Sequence, residues 1–369
     1  MKKITYVYQG GRKNHMDSST NGAKDFYYGA TLFNKLEFEV NILEFENNSK
    51  KFNKFIHKLE YYISKLISLP FNFSKIVSRE NFKVLKSSNY AFFINENTAL
   101  SSLPMLYFLR KKHDLKVSVF VMGLFSKNIK YKSFVWLHEI TIKTLVKNVD
   151  NLLFLGLEEF NYASRKYDEF EKFKYFPFCI DFKFWSKNPN KISKKNQILF
   201  VGNDTNRDFK MLYDIAAKMQ KYNFVIITEN NEQEFNNLKN VKLINGKWAD
   251  EKISDTNLRN IFQESELTII PLKNSLQPSG QSVTLQSLAS GTPVVISRTD
   301  GFWDKNSFIN GEHILFVESS KIEDWEQVIN STLEQKDLLL SLSKKGQELV
   351  SKRYNQKTLE QNLQKLIDY

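Results

Sequence analysis

The first half of the chain alternates between short apolar runs and longer stretches with helical periodicity. The apolar runs predict these strands: Ile4–Tyr8, Glu39–Leu43, Tyr90–Ile94, Val117–Met122, Leu152–Leu155 and Tyr175–Phe178. A Gly10-Gly11 loop follows the first strand, and a helix is predicted from about Ala23 to Leu36. Strands that are apolar at nearly every position and alternate with helices favour a parallel sheet covered by helices on both faces.

The alternation resumes after a polar, lysine-rich segment at residues 186–196, which we interpret as an interdomain linker. Strands are predicted at Gln197–Val201, Phe224–Ile227, Val241–Ile244 and Leu267–Pro271, and helices at Phe209–Met219, Leu258–Glu264 and Trp325–Asp368, the last with a break near Lys352–Asn355. The predicted organisation is an N-terminal domain at 1–185, the linker, a C-terminal domain at 197–350, and a last helix at 351–369 that crosses back to the first domain.

Composition narrows the class of partner. A chain of 369 residues is long for a single core and favours two domains. The formal net charge of +12 favours an anionic partner such as nucleotide phosphates or acidic lipid head groups. Cys179 is the only cysteine, which excludes an intrachain disulfide and favours a reducing, cytoplasmic compartment. No apolar run reaches the length that spans a bilayer.

The most informative stretch is residues 278–297, where a glycine-containing loop opens onto a helix near Ser282 that ends at Gly291. The first N–H groups of a helix have no internal partners, and with the helix dipole they attract phosphate. Gly280 lets a ligand approach the backbone, while Ser279 and Ser282 are candidate capping or contact residues. The alternative interpretation is an ordinary loop–helix–strand connection.

A second candidate loop, residues 202–210, also joins a strand to a helix. It places Arg207 and Lys210 beside the carboxyl end of the strand, where open α/β sheets bind ligands. Arginine is a bidentate partner for phosphate. The alternative is that Arg207 is a surface residue paired with Asp204 or Asp208.

The Gly10-Gly11 loop lacks a full G-x-G-x-x-G pattern, which disfavours NAD binding.

Residues 51–69 form a basic amphipathic pattern. Phe55, Leu59 and Ile63 recur at helical spacing, and Lys58 and Lys65 take the other side. Such a helix suits an anionic membrane surface, or else it packs on the core with a solvated basic face.

The five histidines and the single cysteine do not occur at metal-ligand spacing, so no metal is expected. His138-Glu139 suggests an acid–base pair, or a structural histidine on a helix.

Several stretches together resemble GT-B glycosyltransferases of the retaining family-4 type. They are residues 200–209, 245–248, 255–271 and 280–295, with weaker similarity at 21–26 and 175–184. The resemblance implies an α/β GT-B fold, in which two Rossmann-like domains with parallel sheets face each other across a cleft. It also implies a nucleotide-sugar donor held by the second domain, a glycan or lipid-linked acceptor held by the first, and no metal or other cofactor.

The resemblance assigns roles to particular positions. Arg207 and Lys210 would be the catalytic groups on the diphosphate. The donor-binding residues would be Gly202, Asn203, Gly246, Lys247, Trp248, Ser279, Gly280, Gln281, Ser282, Val283 and Gln286, and those on the acceptor side Gly10, Gly11, Met122, Gly123 and His138. The chain departs from the family where two glutamates are usual, because Pro278 and Gln286 stand there, and it has Met122-Gly123 where many members have a histidine.

The expected function is therefore transfer of a sugar, hexosyl in type, in bacterial surface polysaccharide or glycolipid assembly. The enzyme would be retaining, metal-independent and cytoplasmic, peripheral on the inner face of the cell membrane. A GT-B sugar-nucleotide epimerase and a non-catalytic sugar-nucleotide binding protein are the alternatives. Nucleic acid is not expected as a partner, since aromatic and basic residues do not interleave as in a recognisable binding module.

Overall fold

The computed structural model describes residues 2–18, 22–36, 38–45, 51–127, 129–187, 193–230, 232–246 and 253–367. Contacts between Cα atoms divide the chain into two compact units. The first unit comprises Met1–Thr20, Phe26–Phe176 and Asn362–Tyr369, and the second comprises Asn21–Asp25 and Pro177–Gln361. A short early segment ending at Asp25 thus belongs to the second unit.

The first unit contains a wholly parallel sheet in the order β2-β1-β3-β4-β5-β6. Its strands are β1 (Lys3–Tyr8), β2 (Glu39–Glu44), β3 (Tyr90–Phe93), β4 (Lys116–Val121), β5 (Asn151–Phe154) and β6 (Phe173–Tyr175). Its α-helices are α1 (Arg12–Ser18), α2 (Ala30–Phe33), α3 (Lys51–Ile67), α4 (Arg79–Lys86), α5 (Glu96–Lys112), α6 (Val135–Lys147) and α7 (Leu157–Lys166). All of β3 is buried, as expected for a strand covered on both faces.

The second unit also contains a wholly parallel sheet, in the order β12-β11-β10-β7-β8-β9. Its strands are β7 (Lys195–Val201), β8 (Asn223–Thr228), β9 (Val241–Asn245), β10 (Ser265–Ile270), β11 (Val294–Ser297) and β12 (Leu315–Val317). The remaining α-helices are α8 (Phe182–Trp185), α9 (Phe209–Lys218), α10 (Glu232–Phe235), α11 (Asp255–Glu264), α12 (Gln281–Ala289), α13 (Ile322–Glu334), α14 (Lys336–Arg353) and α15 (Gln356–Gln364).

The helix predicted from Ala23 to Leu36 is wrong. The structure has only α2 and two short 3-10 turns there, Asp25–Tyr27 and Asn34–Leu36. The interruption comes from left-handed backbone at Tyr28, with φ of 49°, and at Gly29, with φ of 85°. A Cβ on Gly29 would lie 2.2 Å from Cδ1 of Leu363, so the close approach of the last helix requires glycine at this turn.

Other differences concern boundaries and short elements. The sixth strand ends at Tyr175 rather than Phe178, before Pro177, which cannot donate to a strand ladder. The apolar pattern did not reveal α1 or the three-residue strand β12. The predicted break near Lys352–Asn355 is confirmed, because α14 ends at Arg353 and α15 begins at Gln356. None of the described helices is long and apolar enough to cross a bilayer.

Candidate functional site

The two loops singled out in the second half meet at one edge of the second sheet. The chain moves in one direction from β7 to β9 and then crosses back, so that β10 lies on the other side of β7. Ligands of open α/β sheets bind beyond the carboxyl ends of the strands where the direction reverses. The loops after β7 and β10 run side by side there, with Asp208 N bonded to Pro271 O at 3.0 Å and Lys273 N bonded to Asn206 O at 2.8 Å.

The Arg207 guanidinium is buried between two glycines, one from each loop. Only 3% of the residue is exposed. A Cβ on Gly202 would lie 2.2 Å from Arg207 Nε, and a Cβ on Gly280 would lie 3.1 Å from Nη1. A side chain at position 202 would therefore displace the guanidinium, and one at position 280 would crowd it.

This buried cation lacks adequate compensation within the described chain. Arg207 Nε lies 3.2 Å from Oδ2 of Asp204, a half-exposed carboxylate, but no hydrogen bond is formed. Its Nη1 likewise has no hydrogen-bond partner among the described residues. Burial lowers the pKa of the guanidinium from its usual value. Because a buried charge that lacks hydrogen-bond acceptors is costly, the arrangement is suited to receiving an anion.

The beginning of α12 adds hydrogen-bond donors near the same place. Gly280, with φ of 80°, precedes the helix and supplies no capping side chain. The first backbone bond of the helix runs from Thr284 N to Gly280 O at 2.9 Å. The N–H groups of Ser282 and Val283 therefore have no acceptor in the described part of the chain. Thr284 Oγ1 is also buried without a partner there. These donors and Arg207 form a site that fits a phosphate or diphosphate.

Substitution of Gly280 by alanine tests this packing. Gly311 offers a matched control, because its φ of 76° is similar and a Cβ there would meet nothing within 4 Å. Gly311→Ala should cost about 1–2 kcal/mol for the left-handed backbone alone. We expect Gly280→Ala to cost about 1 kcal/mol more, because its methyl group also crowds Arg207 and two isoleucines. Urea unfolding of both variants measures the difference, and equal losses would contradict the packing argument.

Other predicted donor-site residues lie around these loops. Ser279 Oγ accepts a hydrogen bond from Asn206 Nδ2 at 2.9 Å, which joins the two loops. Asn203 donates to Gly246 O at 3.0 Å and accepts from Glu229 N at 2.9 Å, so its side chain links the ends of β7, β8 and β9. The side chain of Lys210 is exposed on α9, and Gln281 is buried. Lys247 and Trp248 lie outside the described residues.

Gln286 has a buried partner from the early segment of the chain. Its Nε2 donates to Oδ2 of Asp25 at 2.8 Å, within the second unit. The same carboxylate accepts from Trp185 Nε1 at 2.7 Å and from Asp181 N at 2.6 Å. Complete burial raises the pKa of Asp25 to about 7, although these three donors lower it. We call Asp25, Asp181, Trp185 and Gln286 the Asp25 cluster.

The residues predicted for the acceptor side all lie in the first unit, in different surroundings. Gly10 and Gly11 are open, with nothing near a Cβ at either position. Met122 N donates to Oε2 of Glu96 at 3.1 Å, and Gly123 begins a 3-10 turn with φ of 119°. His138 is buried, and its Nδ1 lies 2.7 Å from Ile67 O, so this ring joins two helices.

The structure does not pair His138 with Glu139, as an acid–base pair would require. Glu139 accepts from Lys166 Nζ at 2.5 Å and from Tyr167 OH at 2.8 Å instead. Among the residues that the structure describes, no three histidine, cysteine, aspartate or glutamate side chains are placed to hold a metal ion.

Sequence reasoning missed several members of the site. Asn206 and Thr284 lie inside the motifs but carry no distinctive spacing, and only the folded loops show their positions. Asp25 is separated from Gln286 by 261 positions, so no local pattern connects them. The one available signal was that Asp25 and Asp181 fall in two segments that resemble the same family.

Comparisons with known proteins agree with this geometry. Residues 181–349 match the family model described as "Glycosyl transferases group 1". No curated protein has a sequence that matches this chain. Sucrose-phosphate synthase from Thermosynechococcus elongatus is similar in structure, with a TM-score of 0.68 and 14% identity over 99% of this chain and 98% of the other.

Two further solved structures are similar over their full lengths. Anabaena Alr3699/HepE in complex with UDP-glucose has a TM-score of 0.68 and 12% identity, covering 99% of each chain. A mutant of S. aureus TarM, in complex with Fondaparinux, alpha-GlcNAc-glycerol and UDP, has a TM-score of 0.69 and 10% identity, covering 100% of each chain. The predicted α/β class with two Rossmann-like domains is confirmed. The chain therefore has the GT-B fold of glycosyltransferases, and its residues 181–349 carry the sequence pattern of the group 1 glycosyl transferases.

Proposed function

We propose that this protein is a glycosyltransferase that moves a sugar from a nucleotide-sugar donor to a glycan or lipid-linked acceptor. The observation that carries the proposal is the buried guanidinium of Arg207, which lies between Gly202 and Gly280 without a hydrogen bond from Nε or Nη1 to any described residue. A donor diphosphate would supply acceptors and negative charge for this guanidinium, in addition to Asp204, and would also accept from the free N–H groups at the start of α12.

The match of residues 181–349 to the group 1 glycosyl transferases supports this donor class. Structural neighbours whose complexes contain UDP or UDP-glucose make a uridine diphosphate sugar the first donor to test. We place the base and ribose near Gly246, Lys247, Trp248 and Gln286. Because Gln286 gives its Nε2 hydrogen to Asp25, its amide oxygen is the atom that we expect to accept from a ribose hydroxyl.

The chemistry follows from where negative charge develops. As the bond between the sugar and the diphosphate breaks, charge grows on the leaving oxygen. A fixed guanidinium and oriented amides stabilise that charge without reorganising. Lys210, three positions further on and exposed at the start of α9, would add a mobile positive charge. In the retaining reaction that we propose, the departing diphosphate takes the proton of the acceptor hydroxyl. No metal is required by this scheme.

The proposal also specifies the type of sugar, the acceptor and the place of action. We propose a hexosyl donor, acceptors of the bacterial surface polysaccharide or glycolipid type, and action at the inner face of the cell membrane. The net charge of +12 supports an anionic, membrane-borne acceptor. The Gly10-Gly11 loop, which is open at both glycines, supports acceptor binding by the first unit.

A panel of nucleotide sugars tests the donor. A ligand present at 100 times its dissociation constant adds about 2.7 kcal/mol to the free energy of unfolding. We therefore expect a clear rise in melting temperature with one diphosphate sugar, in buffer that contains EDTA, and a smaller rise or none with CMP-linked sugars. Transfer of radiolabelled sugar from that donor to membrane extract separates a transferase from a protein that only binds. Stabilisation by no diphosphate sugar would contradict the proposal.

A further inference from the structure

The helices α3 and α6 pack against each other in the first unit and present unusual outer surfaces. His138 Nδ1 of α6 lies 2.7 Å from Ile67 O at the end of α3, and Lys130 N donates to Ser68 Oγ at 3.1 Å. These bonds fix the two helices as neighbours. We call their exposed apolar residues and lysines the outer face; its members are Phe55, Lys58, Leu59, Tyr61, Tyr62 and Lys65 of α3 and Val135, Trp136, Ile140, Lys143 and Lys147 of α6.

The orientation of α3 is set by a buried carboxylate. Glu60 is 1% exposed and accepts from Ser74 N and Ser74 Oγ, both at 2.7 Å. Ile63 and Ile67 pack against the core on the same side of the helix. Phe55 and Leu59, which the sequence placed in one apolar stripe with Ile63, therefore face outward. The sequence-based alternative of a helix whose whole apolar stripe packs on the core is wrong for these two residues.

The exposure of the apolar residues is large. Phe55 is 72% exposed, Trp136 is 60% exposed and Ile140 is 51% exposed. Single exposed apolar residues are common, but several aromatic and aliphatic side chains on two packed helices mark an interaction surface. On α6, Trp136, Ile140, Lys143 and Lys147 follow one another at spacings of three or four, so they form one stripe.

The charge of this face has one sign. The sequence of α3 contains Glu60 as its single acid, and that of α6 contains Glu139. Glu60 is buried, while Glu139 is bonded to Lys166 and Tyr167. The loop that leads into α6, residues 123–134, contains three lysines and no acid. Lysines around exposed Trp, Tyr and Phe side chains match the chemistry of an anionic lipid surface, where aromatic rings and aliphatic stems enter the head-group boundary.

We propose that the outer face of α3 and α6 docks this protein on a bilayer that contains anionic lipids. The inference deepens the proposed function and rests on it, because a lipid-linked acceptor would lie in that bilayer. Phe55, Leu59, Trp136 and Ile140 enter the interface, and the lysines of the face pair with lipid phosphates.

Co-sedimentation with vesicles tests the proposal. The variant carries Trp136→Ser, Lys143→Gln and Lys147→Gln. A matched control on α14 carries Leu340→Ser, Lys336→Gln and Lys344→Gln, which removes one exposed apolar side chain and two exposed lysines from the second unit. With vesicles of phosphatidylcholine and phosphatidylglycerol we expect the α6 variant to bind at least about tenfold more weakly than the unaltered protein, while the control binds normally.

Fluorescence gives a second readout. Trp185, Trp303 and Trp325 are buried, whereas Trp136 is exposed. Vesicles should therefore shift the Trp136 emission to shorter wavelength, and Trp136→Phe should remove that shift while binding persists. Equal weakening in both triple variants, or a shift that survives Trp136→Phe, would overturn the proposal. The proposal would also be overturned if the α6 variant changed only the oligomeric state of the protein and not its binding to vesicles.

Melting-temperature shifts with the donor sugar keep the two claims apart. The donor is bound by the second unit in our proposal, so both triple variants should retain the donor-induced shift. Loss of vesicle binding with that shift intact supports the docking surface. A normal shift with no vesicle binding by the unaltered protein rejects the docking surface and leaves the proposed transferase standing.

Discussion

Replacing Arg207 by methionine should reduce sugar transfer by about 100- to 1,000-fold, which corresponds to roughly 2.7–4 kcal/mol of transition-state stabilisation for one preorganised donor. The ligand-free Arg207→Met protein, in contrast, should not lose free energy of unfolding. Arg207 is buried with two nitrogens that have no hydrogen-bond partner among the described residues, and the carboxylate of its ion-pair partner Asp204 is half exposed, so its burial is poorly compensated before the donor binds. An apolar side chain of similar length removes that cost. We expect a melting temperature equal to or above that of the unaltered protein, and no donor-induced rise.

Two controls make this result specific. Arg298→Met removes a guanidinium that is about two-fifths exposed and paired with Glu318, so it should change transfer by less than about twofold. Arg207→Lys keeps a charge but loses the planar fork, and should recover part of the activity. Transfer rates at saturating donor and melting curves with and without donor measure the effects. An Arg207→Met protein with normal transfer would refute the role of Arg207.

The sequence was sufficient to identify the two loops that we propose bind the donor diphosphate. Gly202, Arg207 and Gly280 stand in strand–loop–helix patterns whose positions at the carboxyl ends of parallel strands follow from the fold class. Local reasoning did not decide whether Arg207 is a surface residue paired with Asp204 or Asp208, or a buried group at the site. The residue is buried, and its Nε lies 3.2 Å from Oδ2 of Asp204. The answer depends on the space that two glycines leave, and these glycines are separated by 78 positions (280 minus 202).

Two errors have a different physical origin. The helix expected at Ala23–Leu36 has adequate local propensity, but left-handed backbone at Tyr28 and Gly29 interrupts it, and close packing of Leu363 favours that turn. Phe55 and Leu59 follow helical spacing, which predicts that they share a face but does not say whether that face is covered. Tertiary partners decide both questions, and they come from distant parts of the chain.

The Asp25 cluster shows the same limit and gives a pH-dependent prediction. Burial raises the pKa of Asp25 from the usual 3.8 to about 7 in the folded protein. Between these two pH values the folded state holds the proton and the unfolded chain does not. The stabilising contribution of the protonated carboxyl is therefore complete below about pH 3.8 and is lost as the pH rises to about 7.

Asp25→Asn removes this titration. Relative to the unaltered protein, the variant should gain about 3–4 kcal/mol in free energy of unfolding between pH 4 and pH 8, because each unit of pKa shift is worth about 1.4 kcal/mol. At pH 4 it should be the less stable of the two by about 1–3 kcal/mol, since an amide cannot accept from all three donors of the cluster. Urea unfolding of both proteins across this pH range, followed by tryptophan fluorescence, measures both effects.

A second buried acid provides the internal comparison. Glu159 lies in the first unit, and burial raises its pKa to about 8. The difference in free energy of unfolding between the unaltered protein and Glu159→Gln should keep changing up to about pH 8. The corresponding difference for Asp25→Asn should level off near pH 7. Suppose instead that the difference in free energy of unfolding between the unaltered protein and Asp25→Asn does not change between pH 4 and pH 8. The Asp25 carboxyl of the folded protein would then be ionised over that whole range. The cluster would then hold a buried anion with its three donors, and Gln286 would be oriented by a charge at every pH at which the enzyme works.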